Sequence, residues 1–565
     1  MSVNKNQNIN YLKRLQSYKK IGQPILHFLD RTRLLPLVVP AINFTLKKAG
    51  VRKRFQKDLN YRLFSRAFQG ALKNDNHSPN IVVTPFLSGG NNIFLIISAM
   101  IARYLQPKGY RSIYLVCDRH LPVCNNERIM KTRETDGGIC TACFQPYKHI
   151  IKKTGADIRY LSAYHDEHKF QHVQKQIAEI QTLDECVQFT FEQQPIGRLT
   201  EKSVLRFFYV GWLENKKEHV DLYKKFLEAN VRYSIAWVNF IASLGQKPDL
   251  VMIYNGTLAF ESVMRDHCKN ANIDYMTHET YVGTNSWIFK KNNEVMLLNW
   301  EEQWNTFNQK TFTHEMADQA ADFLEGLRGG KQMYAKLNER HDLDEKLQHS
   351  SFVALFTNLN FDTAVLGRNP HFQSMHDWIE KVIRFWREYN ITTKLVIRVH
   401  PAELKLITAS SDFIGDKIKS WMGDAQNIML YDAADKVDSY ALIEHMRFGL
   451  IYSSTIGMEI AYAGKPVLIG GDAFFKKQPF VHFHKNENDY FEKLTAMLNS
   501  EVLETPDKSD VLRFVNFIYF DRVKRLNGLD MNHAQHVNTF DFSTADELVQ
   551  KNLNLLHEFE TEVIG

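Results

Sequence analysis

Short apolar runs and longer amphipathic stretches alternate through the second half of the chain. The apolar runs are three to six residues long, and each ends in polar residues or glycine. Runs of this kind are typical of buried strands in a parallel sheet. Segments with helical periodicity separate most of them, so the pattern predicts a doubly wound α/β domain. The runs are SFVALF, KLVIRV, NIMLY, FGLIY and KPVLI, between Ser351 and Ile469.

The first half repeats this pattern less regularly. Its first unit is a strand, a glycine-containing turn, a helix and a second strand. A second unit of the same kind runs from Leu250 to Thr277, and residues 147–245 are predicted to be mainly helical and to cover one face of the sheet. The predicted strands are Ile81–Val83, Ile113–Val116, Leu250–Tyr254 and Ile273–Thr277, and the predicted helices are Ile93–Leu105 and Leu258–Cys268.

A chain of 565 residues is too long for a single core, so we expect several domains. The predicted fold class is α/β, with two doubly wound parallel-sheet domains that face a cleft. The predicted regions are a basic helical arm at 1–79, an N-terminal α/β domain at 80–300, a helical connection at 301–350, a C-terminal α/β domain at 351–485 and a helical region at 486–565.

Polar side chains follow two predicted strands of the C-terminal domain. Arg398 and His400 end one strand, and Ser453, Ser454 and Thr455 end another. In open α/β sheets, ligands bind outside the carboxyl ends of the strands. A guanidinium, an imidazole, hydroxyls and the first N–H groups of a helix suit the phosphate of a nucleotide. Taken alone, the Ser-Ser-Thr run is also a common helix cap, and His-Pro is a common dipeptide.

The helix predicted after this Ser-Ser-Thr run carries two further candidates. Gly457 would allow a ligand to approach the backbone closely. Glu459 lies on the first turn, where its carboxylate could accept hydrogen bonds from a ribose diol. We expect a nucleotide sugar as co-substrate, with Arg398 and His400 assisting departure of the nucleotide phosphate and no catalytic metal.

The N-terminal domain has candidates for an acceptor site at its strand ends. Gly89, Gly90 and Asn91 form one turn, and Asn255 and Gly256 form another. The first of these is as typical of a plain tight turn as of a ligand loop.

Two residues are candidates for the general base that takes a proton from the acceptor. Glu279 follows a strand and is either a general base or a hydrogen-bond acceptor for a nearby helix N-terminus. Asp362 is the weaker candidate for the base.

The charge of the chain is distributed unevenly. The formal net charge is +6, yet residues 1–75 contain 16 Lys and Arg against 3 Asp and Glu. Such an arm either contacts an anionic membrane surface or is a solvated helical face. It lacks the interleaved aromatic residues of single-strand binders, so we expect no nucleic-acid partner.

The sequence shows no secretory signal and no apolar run of about 20 residues. We therefore expect a cytoplasmic protein that can bind peripherally at the inner face of the cell membrane.

Four of the six cysteines are crowded into a stretch of fewer than thirty residues. Cys117, Cys124, Cys140 and Cys143 form a C-x6-C-x15-C-x2-C pattern. Two pairs of thiolates suit tetrahedral Zn²⁺, so a structural zinc is one interpretation. Reduced, unpaired thiols are the other main interpretation.

The segments RVHP and YSSTIGMEIAYAGKPVLI resemble the capsular polysaccharide biosynthesis family of GT-B glycosyltransferases. They are also similar to the HP and SS motifs of bacterial sialyltransferases and Kdo transferases. The resemblance implies a GT-B-like fold, nucleotide phosphate at His400, Ser453 and Ser454, and ribose at Glu459. The acidic base motif of the sialyltransferases is not found in its expected form.

The resemblance implies transfer of a sugar from a nucleotide to a surface polysaccharide or glycolipid. The alternatives are a nucleotide-sugar 2-epimerase-like enzyme and a non-catalytic component of polysaccharide binding or export.

Overall fold

The computed structural model of the chain is built around two mainly parallel sheets. It describes residues 62–73, 78–86, 92–124, 151–328, 349–362, 365–389, 391–403, 413–531 and 537–565, together with Leu343 and Leu347. None of the helices within these ranges is long and apolar enough to cross a membrane.

The N-terminal sheet has seven strands in the order β12-β6-β5-β4-β1-β2-β3. Strands β1 to β5 run parallel, whereas β6 pairs antiparallel with both β5 and β12. The strands are β1 (Asn80–Phe86), β2 (Tyr110–Val116), β3 (Asp157–Tyr160), β4 (Leu250–Tyr254), β5 (Tyr275–Glu279), β6 (Ser286–Lys291) and β12 (Lys524–Arg525). The four predicted strands are all present, at or within a few residues of their predicted bounds.

Helices cover both faces of this sheet because its central strands are apolar on both sides. In β4, Leu250 and Met252 pack into one core, whereas Val251 and Ile253 pack into the other. The first core includes α1, and the second is formed mainly by α2, α4, α5 and α6. The helices are α1 (Asn92–Leu105), α2 (Glu167–Glu179), α3 (Leu183–Gln188), α4 (Ile196–Phe208), α5 (Lys217–Ser243) and α6 (Ala259–Asn270).

The C-terminal sheet has five parallel strands in the order β11-β10-β7-β8-β9. Each residue of β7 is buried, and successive side chains enter opposite cores. The elements are β7 (Phe352–Phe356), α9 (Met375–Glu388), β8 (Lys394–Arg398), α10 (Ile414–Met422), β9 (Ile428–Tyr431), α11 (Ser439–His445), β10 (Gly449–Ile451), α12 (Ile456–Tyr462) and β11 (Val467–Ile469).

The two sheets share one strand order. Counted along the chain within each sheet, the parallel strands lie in the order fifth, fourth, first, second and third. The order therefore reverses between β1 and β4 in one sheet and between β7 and β10 in the other. Ligands of open α/β sheets bind at such reversals.

Further helices surround the C-terminal sheet. The helical connection predicted at 301–350 contains α7 (Glu301–Asn308) and α8 (His314–Arg328), whose buried residues join the core of the C-terminal sheet. After the sheet come α13 (Glu487–Asn499) and α14 (Lys508–Asn516).

The end of the chain differs from the expected helical region at 486–565. After a π-helical turn at Phe517–Arg522, the chain returns to the N-terminal sheet and adds β12 to it. A two-stranded sheet and two helices then complete the core beside α1. These elements are β13 (Leu529–Met531), β14 (Val537–Phe540), α15 (Ala545–Lys551) and α16 (Leu553–Phe559). The strands were not predicted because two to four residues with mixed polarity show no clear period.

The two domains meet through aromatic contacts and a shared apolar core. Tyr209, just after α4, packs on Phe361 with ring centroids 4.8 Å apart, and Trp212 packs on His376 at the same distance. Ile288 of β6 joins the core of the C-terminal domain.

We expect the returning α16 to be necessary for the stability of the N-terminal domain. Phe559 is fully buried against Phe289 of β6, with ring centroids 5.8 Å apart. Phe559→Ala should therefore lower the free energy of unfolding by about 3–5 kcal/mol, measured by urea denaturation. Asn554→Ala, at an exposed position of the same helix, is the control. Equal unfolding midpoints for the two variants would contradict this packing.

Candidate functional site

Three strand ends of the C-terminal sheet are tied together by residues that follow β7. The hydroxyl of Thr357 accepts a hydrogen bond from the backbone N–H of His400 at 3.0 Å. The side-chain oxygen of Asn358 accepts one from the backbone N–H of Ser453 at 3.3 Å. These bonds bring His400, after β8, and Ser453, after β10, to the same crevice as the end of β7. The structure thus brings together the residues that the sequence analysis placed at these strand ends.

His400 is held in one orientation and one tautomer. Its Nδ1 accepts a hydrogen bond from the backbone N–H of Ala402 at 3.1 Å, so the neutral ring carries its proton on Nε2. Burial lowers the pKa of His400 to about 4, although nearby Asp362 acts in the opposite direction. At neutral pH the ring is therefore uncharged and can donate from Nε2.

The Ser-Ser-Thr run lies between β10 and α12, as predicted. Ser453 is buried, Ser454 is half-buried and Thr455 is exposed. Thr455 occupies the cap position in a helical backbone conformation, and its side chain makes no capping bond. Because α12 has only seven residues, its dipole is small. Any binding of an anion here depends on the hydroxyls more than on the helix.

Gly457 does not have the role expected from the sequence. A Cβ at this position would lie 2.5 Å from Cδ1 of Ile451 and 3.0 Å from the ring of Phe475. The glycine is needed because α12 packs closely on β10. The expectation that it admits a ligand to the backbone is corrected accordingly.

Glu459 is paired with a tyrosine that the sequence analysis missed. The hydroxyl of Tyr440, on α11, donates to a carboxylate oxygen of Glu459 at 2.6 Å. Burial raises the pKa of Glu459 to about 7, and the bond from Tyr440 opposes this rise. The carboxyl group therefore titrates near neutral pH.

Arg398 contacts the protein backbone rather than facing open space. Its two terminal nitrogens donate to the carbonyl oxygens of Asp432 at 2.6 Å and Val437 at 3.3 Å. The side chain is buried, and burial lowers its pKa. Arg398 thus fixes the loop that precedes α11, the helix that carries Tyr440.

In the N-terminal domain, Asn255 and Gly256 form the turn after β4. Asn255 and Gly256 both have positive φ, and a Cβ on Gly256 would lie 2.5 Å from the Thr277 side chain. The side chain of Asn255 accepts from the N–H of Thr257 and donates to Glu279. The amide is therefore used in shaping this turn.

Glu279 is surrounded by donors. One carboxylate oxygen accepts from the N–H of Thr280 at 2.9 Å and from its hydroxyl at 3.2 Å. The other accepts from Asn255 at 2.9 Å, and Tyr254 is a further hydrogen-bonding neighbour. Burial nevertheless raises its pKa. Of the two interpretations given above, these contacts favour that of a hydrogen-bond acceptor, although the donors come from a turn rather than from a helix N-terminus.

Gly89, Gly90 and Asn91 lie outside the described residues. The strand that precedes them, β1, is the direct neighbour of β4. The Asn255 turn therefore follows one of the two strands at the reversal of strand order, where ligands of such sheets bind.

Two of the four clustered cysteines, Cys140 and Cys143, also lie outside the described residues. Cys117 and Cys124 are half-buried. Within the part of the chain that the structure describes, no group of three or more His, Cys, Asp or Glu side chains could hold a metal ion.

A charged cluster at the domain junction was not selected from the sequence. Buried Glu294 accepts from Arg265 at 2.9 Å and lies 3.7 Å from the Nζ of Lys202, on α4. The end of the Lys202 side chain in turn lies against Gly367 of the C-terminal domain. The spacing of Arg198, Lys202 and Arg206 was a visible signal, but it is equally typical of a solvated helical face.

Two doubly wound sheets with the same order of parallel strands define a GT-B-like α/β fold. Residues 292–480, which include the C-terminal sheet, match the family of capsule polysaccharide biosynthesis proteins. The resemblance predicted from the sequence is confirmed over these residues. No curated protein is significantly similar to the chain.

Solved structures give distant matches. Thermosulfurimonas dismutans KpsC, a beta Kdo 2,4 transferase, is 13% identical, with 54% of this chain and 87% of that chain covered and a TM-score of 0.33. The beta Kdo 2,7 transferase of the same organism is 12% identical, with 56% and 88% covered and a TM-score of 0.32. UDP-GlcNAc 2-epimerase from Neisseria meningitidis, bound to UDP-GlcNAc, is 13% identical, with 78% and 99% covered and a TM-score of 0.23.

The contacts of Arg398 predict a mainly structural effect of its removal. Arg398→Ala should cost about 3 kcal/mol, because two buried bonds from a charged donor are lost. It should also expose the 432–438 loop to limited proteolysis. Arg384→Ala, at an exposed position on α9, is the control. A stable Arg398→Ala protein that has lost only phosphate affinity would instead support the direct phosphate contact expected from the sequence.

Proposed function

We propose that the protein is a glycosyltransferase that moves a sugar from a nucleotide to a surface polysaccharide or glycolipid acceptor. The observation that carries the proposal is the convergence of His400, Ser453 and Ser454 at the reversal of strand order in the C-terminal sheet. The N-terminal α/β domain, which contacts this domain through Tyr209 and Trp212, would hold the acceptor. The family match over residues 292–480 supports the same class of reaction.

The proposed site suits a departing phosphate. As the bond to the sugar breaks, negative charge develops on the phosphate oxygen, and donors already in place lower the barrier. His400 would donate from Nε2, and Ser453 and Ser454 would donate from their hydroxyls. Because His400 starts neutral, the arriving phosphate would raise its pKa and strengthen that hydrogen bond.

Glu459 would accept hydrogen bonds from the ribose hydroxyls. Tyr440 fixes the carboxylate, and Arg398 fixes the loop before the helix of Tyr440. In this account Arg398 is a positioning residue for the ribose site, and not a ligand of the phosphate. None of these roles requires a metal ion, so we keep catalysis without a catalytic metal as part of the proposal.

Two further roles belong to this proposal, one for the basic arm and one for the cysteine cluster. Residues 1–75 would contact an anionic membrane surface at the inner face of the cell membrane. The four cysteines of the cluster would hold a structural zinc.

Nucleotide binding and transfer can be tested with matched variants. Nucleotide sugars of CMP, UDP and GDP should be screened by thermal shift, and one of them should stabilise the protein. His400→Ala and Ser454→Ala should lose most of this shift and lower transfer about a hundredfold or more. His445→Ala, at an exposed position on α11, is the control.

Wild-type transfer in both site variants would contradict the proposed site. Turnover of the nucleotide sugar without any acceptor would favour the 2-epimerase-like alternative. Binding of oligosaccharide without any nucleotide would favour the non-catalytic one.

The pKa of Glu459 predicts how nucleotide-sugar affinity depends on pH. The ionised carboxylate is the better acceptor, so affinity should rise about tenfold between about pH 6 and pH 8. The phosphodiester of a CMP-sugar keeps its charge over this range, so calorimetric titration with such a ligand would report on the protein. Glu459→Gln should bind more weakly and lose this dependence. An unchanged pH dependence in the variant would exclude Glu459 as its source.

A further inference from the structure

To activate the acceptor glycan, a side chain must take the proton from its hydroxyl group. Glu279 is poorly suited to this role. A carboxylate has about four lone-pair sites, and the neighbours of Glu279 occupy them. To receive a proton from a substrate, Glu279 would have to release Asn255 or Thr280. That release would disturb the turn after β4.

Glu261 is a second buried carboxylate at the same end of the sheet. It lies on the first turn of α6, three residues after the helix cap at Leu258, and is 8% exposed. Helix α6 directly follows β4, so its first turn lies at the reversal of strand order. Among the described residues, the hydrogen-bonding neighbour that affects Glu261 is its own backbone N–H. Its carboxylate therefore retains lone pairs for a ligand.

A chain of contacts connects this end of α6 to the domain junction. The hydroxyl of Ser203, on α4, accepts from the N–H of Ala259 at 2.6 Å. Lys202, the preceding residue, lies against Gly367 of the C-terminal domain. The hydroxyl of Thr257 donates to Glu294 at 2.7 Å, and Glu294 is also near Lys202. The first turn of α6 is thus close to the junction with the C-terminal domain, whose sheet carries the proposed nucleotide site.

The groups around Glu261 come from several elements. Tyr254 of β4 and Tyr233 of α5 are both close enough to interact electrostatically with it. Tyr233 is buried and Tyr254 is half-buried, and the pKa of each phenol is raised, so both are neutral at physiological pH. Glu279 of β5 is the nearby carboxylate, and Arg206 of α4 is a cation near Tyr254. Burial, followed by the charge of Glu279, raises the pKa of Glu261 to about 7. A general base works best when its pKa is near the working pH.

We propose that Glu261 is the general base that takes the proton from the acceptor hydroxyl. The inference rests on the proposed glycosyl transfer. The acceptor oxygen forms a bond to the anomeric carbon while its proton passes to the Glu261 carboxylate. The bond from that carbon to the phosphate oxygen breaks, and the nucleotide leaves with the electron pair. Glu261 then releases the proton to water. Glu279 keeps the turn in shape and supplies the charge that keeps Glu261 basic.

The test compares two carboxylate variants and a control in the full-length protein. The variants are Glu261→Gln and Glu279→Gln, and the control is Asp266→Asn, farther along the same helix. Transfer should be measured at saturating nucleotide sugar, so that titration of Glu459 does not contribute. Glu261→Gln should lower kcat at least about a hundredfold while the thermal shift with nucleotide sugar stays at the wild-type value. Glu261→Asp should restore part of the rate.

The pH profile separates a chemical role from a structural one. In the wild type, kcat should fall as pH drops below about 7, because protonated Glu261 cannot accept a proton. The residual activity of Glu261→Gln should lack this fall, and Asp266→Asn should keep it unchanged. Glu279→Gln should keep the fall but move it to lower pH, because the charge of Glu279 helps to raise the pKa of Glu261. Glu261→Gln should also melt at a higher temperature than the wild type at pH 8, since a buried carboxylate that must ionise costs stability.

Two results would overturn the inference in different ways. Transfer by Glu261→Gln at the wild-type rate with an unchanged pH profile would exclude Glu261 while leaving the proposed function intact. A wild-type protein that neither binds a nucleotide sugar nor transfers one would overturn the proposed function, and this inference with it.

Discussion

Parallel strands place all their carboxyl ends at one edge of a sheet, and this constraint decides where a site can form here. In both sheets the strand order reverses beside the first strand, between β1 and β4 and between β7 and β10. The side chains of Thr357 and Asn358 hold the strand ends together, because they accept hydrogen bonds from the backbone N–H groups of His400, after β8, and Ser453, after β10. The positions of His400, Ser453 and Ser454 all depend on these bonds.

The electrostatics of the site follow from burial. Loss of solvent makes His400 neutral and brings Glu459 and Glu261 close to neutral pKa values. Each buried carboxylate then costs stability above its ordinary pKa range, as expected for groups kept for function rather than for folding. The returning segment at the end of the chain offsets part of this cost, because it buries α15 and α16 against α1 and β6.

The sequence predicted the strands and helices well where their apolar patterns were long. Strand β4 has its predicted bounds, and α1 begins one residue before the predicted start at Ile93. Strands β3 and β12 were missed because they are short and polar, and only pairing with a neighbour defines them. The positions of His400, Ser453 and Ser454 were predicted correctly, because a residue that directly follows a strand is placed by the end of that strand.

The contacts of individual side chains within the site could not be predicted from the pattern of strands and helices. Gly457 after a Ser-Ser-Thr run is equally typical of a ligand site and of close helix packing, and only Ile451 and Phe475 decide between them. Arg398 had suitable chemistry for phosphate, but two backbone carbonyls distant in sequence bind it. The sequence did not single out Glu261. Its candidacy as the base depends on the hydrogen bonds that occupy the carboxylate of Glu279, and these are visible only in the structure.

The most direct test of the central claim is a crystal structure of the protein with a bound nucleotide sugar. The account predicts the phosphate within hydrogen-bond distance of His400 Nε2 and the hydroxyls of Ser453 and Ser454, with the ribose against Glu459. A nucleotide bound elsewhere on the chain, with these side chains unchanged, would contradict it.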